Sequence, residues 1–266
     1  MSFLQKSNGC KSPKKRFIKN KNLILGIERG VFVERVPTGI KGFDELVEGG
    51  FPKGSTILVA GGTGCCKTIF SLQYIYKGAL DYKEPGLFVS VETNPKNIAW
   101  DMQSFGWDLG KLQDEKMLSI YKLHTAPKRA FNDLIKDELA KITMIVQELG
   151  VKRLVVDSTT AFASLIEDPT TIRSLLYRFA DSLKELNCTT IFTAETKNEK
   201  NSFSAYGVEE FLSDGVIMLY FMPPNRSLFV RKMRGTNHSK TVHPFEITEE
   251  GIIVKPKEQV LWEALK

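Results

Sequence analysis

Residues 61–68 read Gly61-Gly62-Thr63-Gly64-Cys65-Cys66-Lys67-Thr68, and this stretch decides the fold of the chain. An apolar run, residues 56–60, precedes it, and a segment with helical character, residues 69–76, follows it. A strand, a glycine-rich turn and a helix in this order are typical of a P-loop, whose backbone N–H groups and helix N-terminus hold a phosphate. All eight residues are therefore predicted to bind a nucleotide, with Lys67 at its β- and γ-phosphates and Thr68 as a ligand of Mg²⁺.

Cys66 is the one departure from the usual P-loop spacing, G-x-x-x-x-G-K-[ST], because it stands where the second glycine belongs. Glycine is favoured at that position because it adopts a left-handed backbone and lets the phosphate approach closely. A side chain in that conformation costs about 1–2 kcal/mol, and the thiol can crowd the nucleotide. The sequence therefore predicts nucleotide binding with weakened turnover.

Apolar runs alternate with helix-length segments through most of the chain, which indicates an α/β fold with a mostly parallel central sheet flanked by helices. The predicted strands are residues 55–60, 86–91, 118–123, 153–156 and 189–194. The predicted helices are residues 67–80, 96–105, 131–149 and 170–186. Beyond residue 215, apolar runs joined by short turns predict an antiparallel extension of the sheet, with strands at residues 216–221, 228–234 and 245–248.

Three predicted strands end in an acid, and the carboxyl ends of strands are where an open α/β sheet binds its ligands. Asp157 is interpreted as the acid that holds Mg²⁺, since that ion prefers oxygen ligands. Glu92 is placed to orient or deprotonate the attacking water. Glu195 is a candidate for contact with the γ-phosphate.

The predicted strand at residues 228–234 carries Lys232 and Arg234, and a turn with His238 follows it. Side chains alternate along a strand, so the two cations share one face. They suit a γ-phosphate, although basic residues also protect edge strands. Cations that complete a nucleotide site often come from a neighbouring subunit.

Charge is concentrated at the start of the chain. Residues 1–30 hold eight basic side chains and one acidic side chain, a net charge of +7, whereas the other 236 residues hold 29 basic and 30 acidic side chains, a net charge of −1. Residues 1–30 are predicted to be a flexible basic tail. Two interpretations of this tail are possible, contact with nucleic acid and a solvated terminus, and the solvated terminus is favoured. With no long apolar segment, the sequence predicts a cytoplasmic protein without a membrane partner.

Several motifs, taken in order, are similar to those of the KaiC family of RecA-like ATPases in its single-domain archaeal form. They are residues 37–46, residues 49–54, the P-loop, residues 206–215 and residues 232–238. The resemblance implies a RecA-like P-loop domain over residues 31–255, followed by residues 256–266 as a tail or short helix. Within the family pattern, Thr93 stands where a second glutamate usually follows Glu92.

The resemblance further implies Mg-ATP held between subunits of a hexameric ring, with Lys232, Arg234 and His238 acting on the ATP of the adjacent subunit. The resulting hypothesis is a slow ATPase whose ring regulates an unidentified protein partner. Two alternatives stay open at this point. One is an ATP-binding scaffold that does not hydrolyse, and the other is a RecA-like protein that handles DNA.

Overall fold

The computed structural model describes residues 33–124, 131–164, 168–196 and 212–261. The predicted basic tail, residues 1–30, lies outside the described residues. The described helices are α1 (Lys67–Tyr82), α2 (Pro95–Gln103), α3 (Leu109–Asp114), α4 (Phe131–Leu149) and α5 (Pro169–Lys184). None of them is both long and apolar enough to cross a bilayer.

Two sheets contain the described strands. A short antiparallel pair is formed by β1 (Arg35–Val36) and β2 (Phe51–Pro52). The strands of the main sheet are β3 (Thr56–Gly61), β4 (Gly86–Ser90), β5 (Leu118–Lys122), β6 (Arg153–Asp157), β7 (Thr189–Glu195), β8 (Gly215–Met222), β9 (Asn225–Met233), β10 (Val242–Thr248) and β11 (Gly251–Val254). Their order across the sheet is β11-β10-β9-β8-β3-β7-β6-β4-β5.

The sheet confirms the predicted α/β class. Six strands, from β8 through β3 to β5, run parallel, and β9, β10 and β11 continue the sheet in antiparallel order. The strand predicted at residues 216–221 is β8, and its assignment to the antiparallel extension was wrong, because it pairs in parallel with β3. β3 is central and buried at every residue, as expected for a parallel strand covered on both faces. The P-loop therefore begins in the middle of the sheet.

Helices cover both faces of the sheet. α1, α2 and α3 pack in one apolar cluster, and α4 and α5 pack in a second cluster on the other face. Local sequence explains where two of these helices start, since Asn94 and Asp168 cap the N–H groups of α2 and α5 and a proline follows each.

Short elements depart most from the sequence prediction. β1, β2, α3 and β11 were not predicted, and the residues after 255 contain no helix within the described part of the chain, which ends at Leu261. Val260 instead forms an isolated antiparallel bridge with Val242. The remaining residues of the predicted terminal helix, 262–266, lie outside the described residues.

Candidate functional site

The P-loop connects β3 to the N-terminus of α1, and close packing explains two of its glycines. A Cβ at Gly61 would lie 2.4 Å from the carbonyl oxygen of Leu219 on β8, so only glycine fits there without a shift. Gly64 has a φ of 78°, in the left-handed region that glycine tolerates. These glycines let the chain turn tightly from the sheet into α1.

Cys66 caps α1 with a left-handed backbone, φ 71° and ψ 28°. This is the conformation for which the usual glycine is suited, so the cysteine holds a strained geometry. Burial raises the pKa of its thiol, and the positive charges of Arg226 and Lys67 oppose that rise without cancelling it. The thiol is thus protonated at neutral pH.

Arg226 and Phe221 lie beside the loop and were not identified from the sequence. The Arg226 guanidinium stacks over the Phe221 ring at 4.1 Å from its centroid and hydrogen-bonds the Cys66 thiol. Both residues flank the β8–β9 turn, one of the short turns predicted between the last strands. That turn was the available signal, but only the strand order shows that it reaches the P-loop.

Lys67 is buried at the floor of the loop. Its Nζ donates hydrogen bonds to the carbonyl oxygens of Gly61, at 3.0 Å, and Gly62, at 2.8 Å. A lysine side chain has many rotamers, and these two contacts fix the Lys67 ammonium group against the backbone of the loop. A cation in this position attracts the anionic part of a ligand.

Thr68 and Asp157 form the polar centre of the site. The Thr68 hydroxyl donates to Asp157 Oδ2 at 2.7 Å, and the Thr193 hydroxyl donates to Oδ1. Asp157 is thereby held from both sides, by α1 and by β7. Thr193 is a further residue missed from the sequence, where a threonine two residues before a strand end gives no distinctive signal.

The other two acids also reach this edge of the sheet. Glu92 follows β4, and its carbonyl oxygen accepts a hydrogen bond from Lys122 Nζ at 3.0 Å. Glu195 ends β7, and its N–H donates to the Thr160 hydroxyl at 2.7 Å. Both side chains are exposed, so their carboxylates are available to a ligand.

One cavity of about 350 Å³, here called the P-loop cavity, brings these groups together. Its lining includes Lys67, Thr68, Glu92, Asp157 and Glu195. Also lining it are Thr63, Gly64, Cys66, Ile69, Thr93 and Ser158. The described residues contain no group of three or more His, Cys, Asp or Glu side chains that could hold a metal ion.

The basic strand lies apart from the P-loop cavity of its own chain. Lys232 pairs with Val216 of β8, and Val216 pairs with Leu58 of β3. Leu58 lies three residues before Gly61, where the P-loop begins. Arg234 is lower still, since its N–H donates to the Asp214 carbonyl oxygen. At about 3.3 Å per residue, Lys232 lies about 10 Å below the start of the loop.

Contacts within the chain hold the basic residues in place. Lys232 Nζ donates to the Ser213 carbonyl oxygen at 2.6 Å, and Arg234 pairs with Asp214 at 3.1 Å. The Arg234 side chain is 64% exposed despite this pair. His238 Nδ1 lies 2.8 Å from the Ser239 carbonyl oxygen. Lys232 and Arg234 are thus held by residues 213–214 at the edge of the sheet opposite the P-loop.

A family model described as "ATPase: KaiC" matches residues 36–259. The circadian clock oscillator protein KaiC of Prochlorococcus marinus is 37% identical over 229 residues, which are 84% of this chain and 45% of that protein. The same protein of Synechococcus elongatus is 36% identical over 233 residues, which are 84% of this chain and 44% of that protein. The chain thus spans about half the length of these KaiC relatives.

Archaeal relatives match over nearly their whole length. A UPF0273 protein of Methanocaldococcus jannaschii is 39% identical over 239 residues, which are 84% of this chain and 97% of that protein. A crystal structure of a KaiC-like protein from Pyrococcus horikoshii OT3 superposes with a TM-score of 0.77 at 41% identity. The match covers 85% of this chain and 100% of that one.

Proposed function

This chain belongs to the KaiC family of ATPases, and we propose that it binds Mg-ATP in the P-loop cavity and hydrolyses it slowly. The observation that carries the proposal is the convergence of Lys67, Thr68, Asp157 and Glu92 on one cavity. That cavity lies at the carboxyl ends of parallel strands, where ligands of α/β sheets bind.

In this proposal, the loop N–H groups and Lys67 bind the β- and γ-phosphates. Thr68 and Asp157 hold Mg²⁺, which when bound offsets the negative charge of the triphosphate. A hydroxyl and a carboxylate fit this ion because it takes oxygen ligands and completes its shell with water and phosphate oxygens. Thr193 keeps the Asp157 carboxylate in register with Thr68.

Glu92 is proposed to orient the attacking water and to accept its proton. The Lys122 contact holds the backbone of Glu92 at the end of β4, while its carboxylate is exposed on the cavity. Glu195, on the neighbouring side, is proposed to contact the γ-phosphate. Slow turnover is expected because Cys66 strains the loop and because Thr93 provides no second carboxylate.

We further propose that Lys232 and Arg234, with His238, act on the ATP of a neighbouring copy. The register supports this, because these cations lie about 10 Å or more below their own P-loop. Repeated head-to-tail contacts close into a ring, in which the lower edge of one sheet faces the P-loop of the next copy. We propose a hexamer, the size that the resemblance implies.

The physiological role proposed is nucleotide-dependent regulation of a protein partner by this ring. Location in the cytoplasm stays a prediction from the sequence. Handling of DNA is disfavoured because the body of the chain has a net charge of −1, whereas nucleic-acid binding draws on many cations.

A single-turnover assay tests the proposed chemistry. Glu92→Gln should lower the rate of phosphate release by about 10²–10⁴-fold and leave ATP binding intact, since the carboxylate is needed only for the water. Equal, background-level release from the wild type and the variant would identify a scaffold that does not hydrolyse ATP. Salt-sensitive binding to single-stranded DNA that needs residues 1–22 would favour the DNA-handling alternative.

A further inference from the structure

Arg35, at the start of β1, joins three separate parts of the chain. Its Nη1 donates to the Thr236 hydroxyl at 2.5 Å, and its Nη2 donates to Glu48 Oε2 at 2.8 Å and to the Gly235 carbonyl oxygen at 3.0 Å. The side chain is only 16% exposed. A guanidinium held by three acceptors is fixed in both position and orientation.

The segment that Arg35 holds comes directly after the basic strand. Gly235 follows Arg234 and turns the chain with a φ of 64°. Further along, the Ser239 N–H donates to the Leu46 carbonyl oxygen at 2.8 Å. The turn after β9 is therefore attached at two points to residues 35–48, a region that packs beside α1.

These attachments explain why the basic residues keep a defined position at the surface. Lys232 and Arg234 are tied to residues 213–214 on one side, and Arg35 fixes the chain immediately after them on the other. A cation that acts on a phosphate in another molecule has to be placed before the two meet, because small displacements are costly to catalysis.

We propose that Arg35 is a positioning residue for the cations Lys232 and Arg234, which it holds in the place where they contact the nucleotide of the adjacent copy. This inference rests on the proposed function. Arg35 itself touches neither its own P-loop nor the reacting atoms, and it acts through Gly235 and Thr236. Lysine cannot replace it fully, since an ammonium group lacks the planar fork that serves three acceptors.

The test compares Arg35→Ala with Lys53→Ala in the full chain, using steady-state hydrolysis, nucleotide affinity and assembly size. Lys53 is a matched control because it is a cation directly after β2 and its Nζ pairs with exposed Glu34. We expect Arg35→Ala to lower kcat by about 10- to 100-fold with KM and nucleotide affinity unchanged. Lys53→Ala should match the wild type, and Arg35→Lys should recover part of the loss.

A double-mutant cycle separates positioning from general support of the fold. If Arg35 acts through Arg234, then Arg35→Ala should add little further loss in an Arg234→Ala background. Thr236→Val, which removes one acceptor and keeps the shape of the side chain, serves as a second variant should Arg35→Ala fold poorly. It should lower kcat in the same direction by a smaller factor.

Three results would overturn the inference: an unchanged kcat in Arg35→Ala, losses that add fully with Arg234→Ala, or a lower kcat that only follows a lower melting temperature. If the wild-type protein binds no ATP or releases no phosphate, the proposed function itself is wrong. That result is obtained before any Arg35 variant is compared.

Discussion

Cys66 shows at the level of one residue how a site can depart from its pattern and keep its shape. The backbone is left-handed although the residue has a Cβ, at a cost of about 1–2 kcal/mol. Packing around the loop is what keeps this conformation, because Arg226 and Phe221 close one side of it and β8 approaches Gly61 from below. The strain falls at the N-terminus of α1, where the phosphates are proposed to bind.

Cys66→Gly should raise the rate of ATP hydrolysis by roughly 10-fold, since it frees the loop to close on the phosphates. Its effect on the free energy of unfolding should be small, because relief of strain is offset by the backbone entropy of glycine, about 0.5–1 kcal/mol. Lys83→Gly is the matched control, since Lys83 is also left-handed but ends α1 far from the loop. Equal turnover in Cys66→Gly and wild type would contradict the account of the loop.

A site residue could be predicted when the sequence pattern around it indicated its position in the fold. Lys67, Thr68 and Glu92 follow a buried strand and Asp157 ends one, so parallel order alone brings them to one edge. Thr193 gave no local signal, because its contact with Asp157 crosses from β7 to β6. A predicted turn lies beside Arg226, but the sequence does not show that this residue reaches Cys66. The distance between the basic strand and its own P-loop likewise follows from strand register, which a sequence does not state.

Among the elements, β5 and α4 are joined by a buried carboxylate. The Glu138 side chain is 1% exposed and accepts hydrogen bonds from Tyr121 at 2.6 Å, from the His124 N–H at 3.0 Å and from Lys141 at 2.6 Å. Burial alone would raise the pKa of Glu138, but these donors lower it below its ordinary value of 4.5. These three hydrogen bonds to Glu138, here called the Glu138 clamp, fix the end of β5. Lys122 lies at that end and donates to the Glu92 carbonyl oxygen.

Glu138→Gln should lower the free energy of unfolding at pH 7 by about 1–3 kcal/mol, because buried donors lose part of their acceptor. The lowered pKa means that the native state favours the ionised carboxylate, so its contribution is complete above pH 4.5 and is lost as the pH falls below that value. Urea unfolding across this range measures the difference. A deficit that persists unchanged in acid, or an equal one in Glu148→Gln on the exposed side of α4, would refute the clamp.

Long buried elements were predictable and short ones were not. The parallel strands and the helices around them were predicted nearly in full, because each carries an apolar run or stripe of sufficient length. β1 and β2 have two residues each, too few to show alternation. β11 forms because it pairs with the edge strand β10, and such a long-range contact is not visible in the local sequence.

In the whole molecule, the sheet separates two chemical surfaces. The P-loop cavity lies at the carboxyl ends of the parallel strands, and Lys232 and Arg234, at the end of β9, lie at the opposite edge. We propose that each protomer contributes one half of the site at each edge, and that contact between copies unites the halves. At this boundary, in our proposal, ATP is hydrolysed.

Mixing two variants of low activity tests this proposal most directly. Glu92→Gln supplies intact cations without the base, and Arg234→Ala supplies the base without the cation. If the site spans two copies, mixed assemblies should regain up to about a quarter of wild-type phosphate release, the fraction of boundaries with both intact halves. Mixed assemblies verified by native mass spectrometry that show no recovery at any ratio would contradict the account.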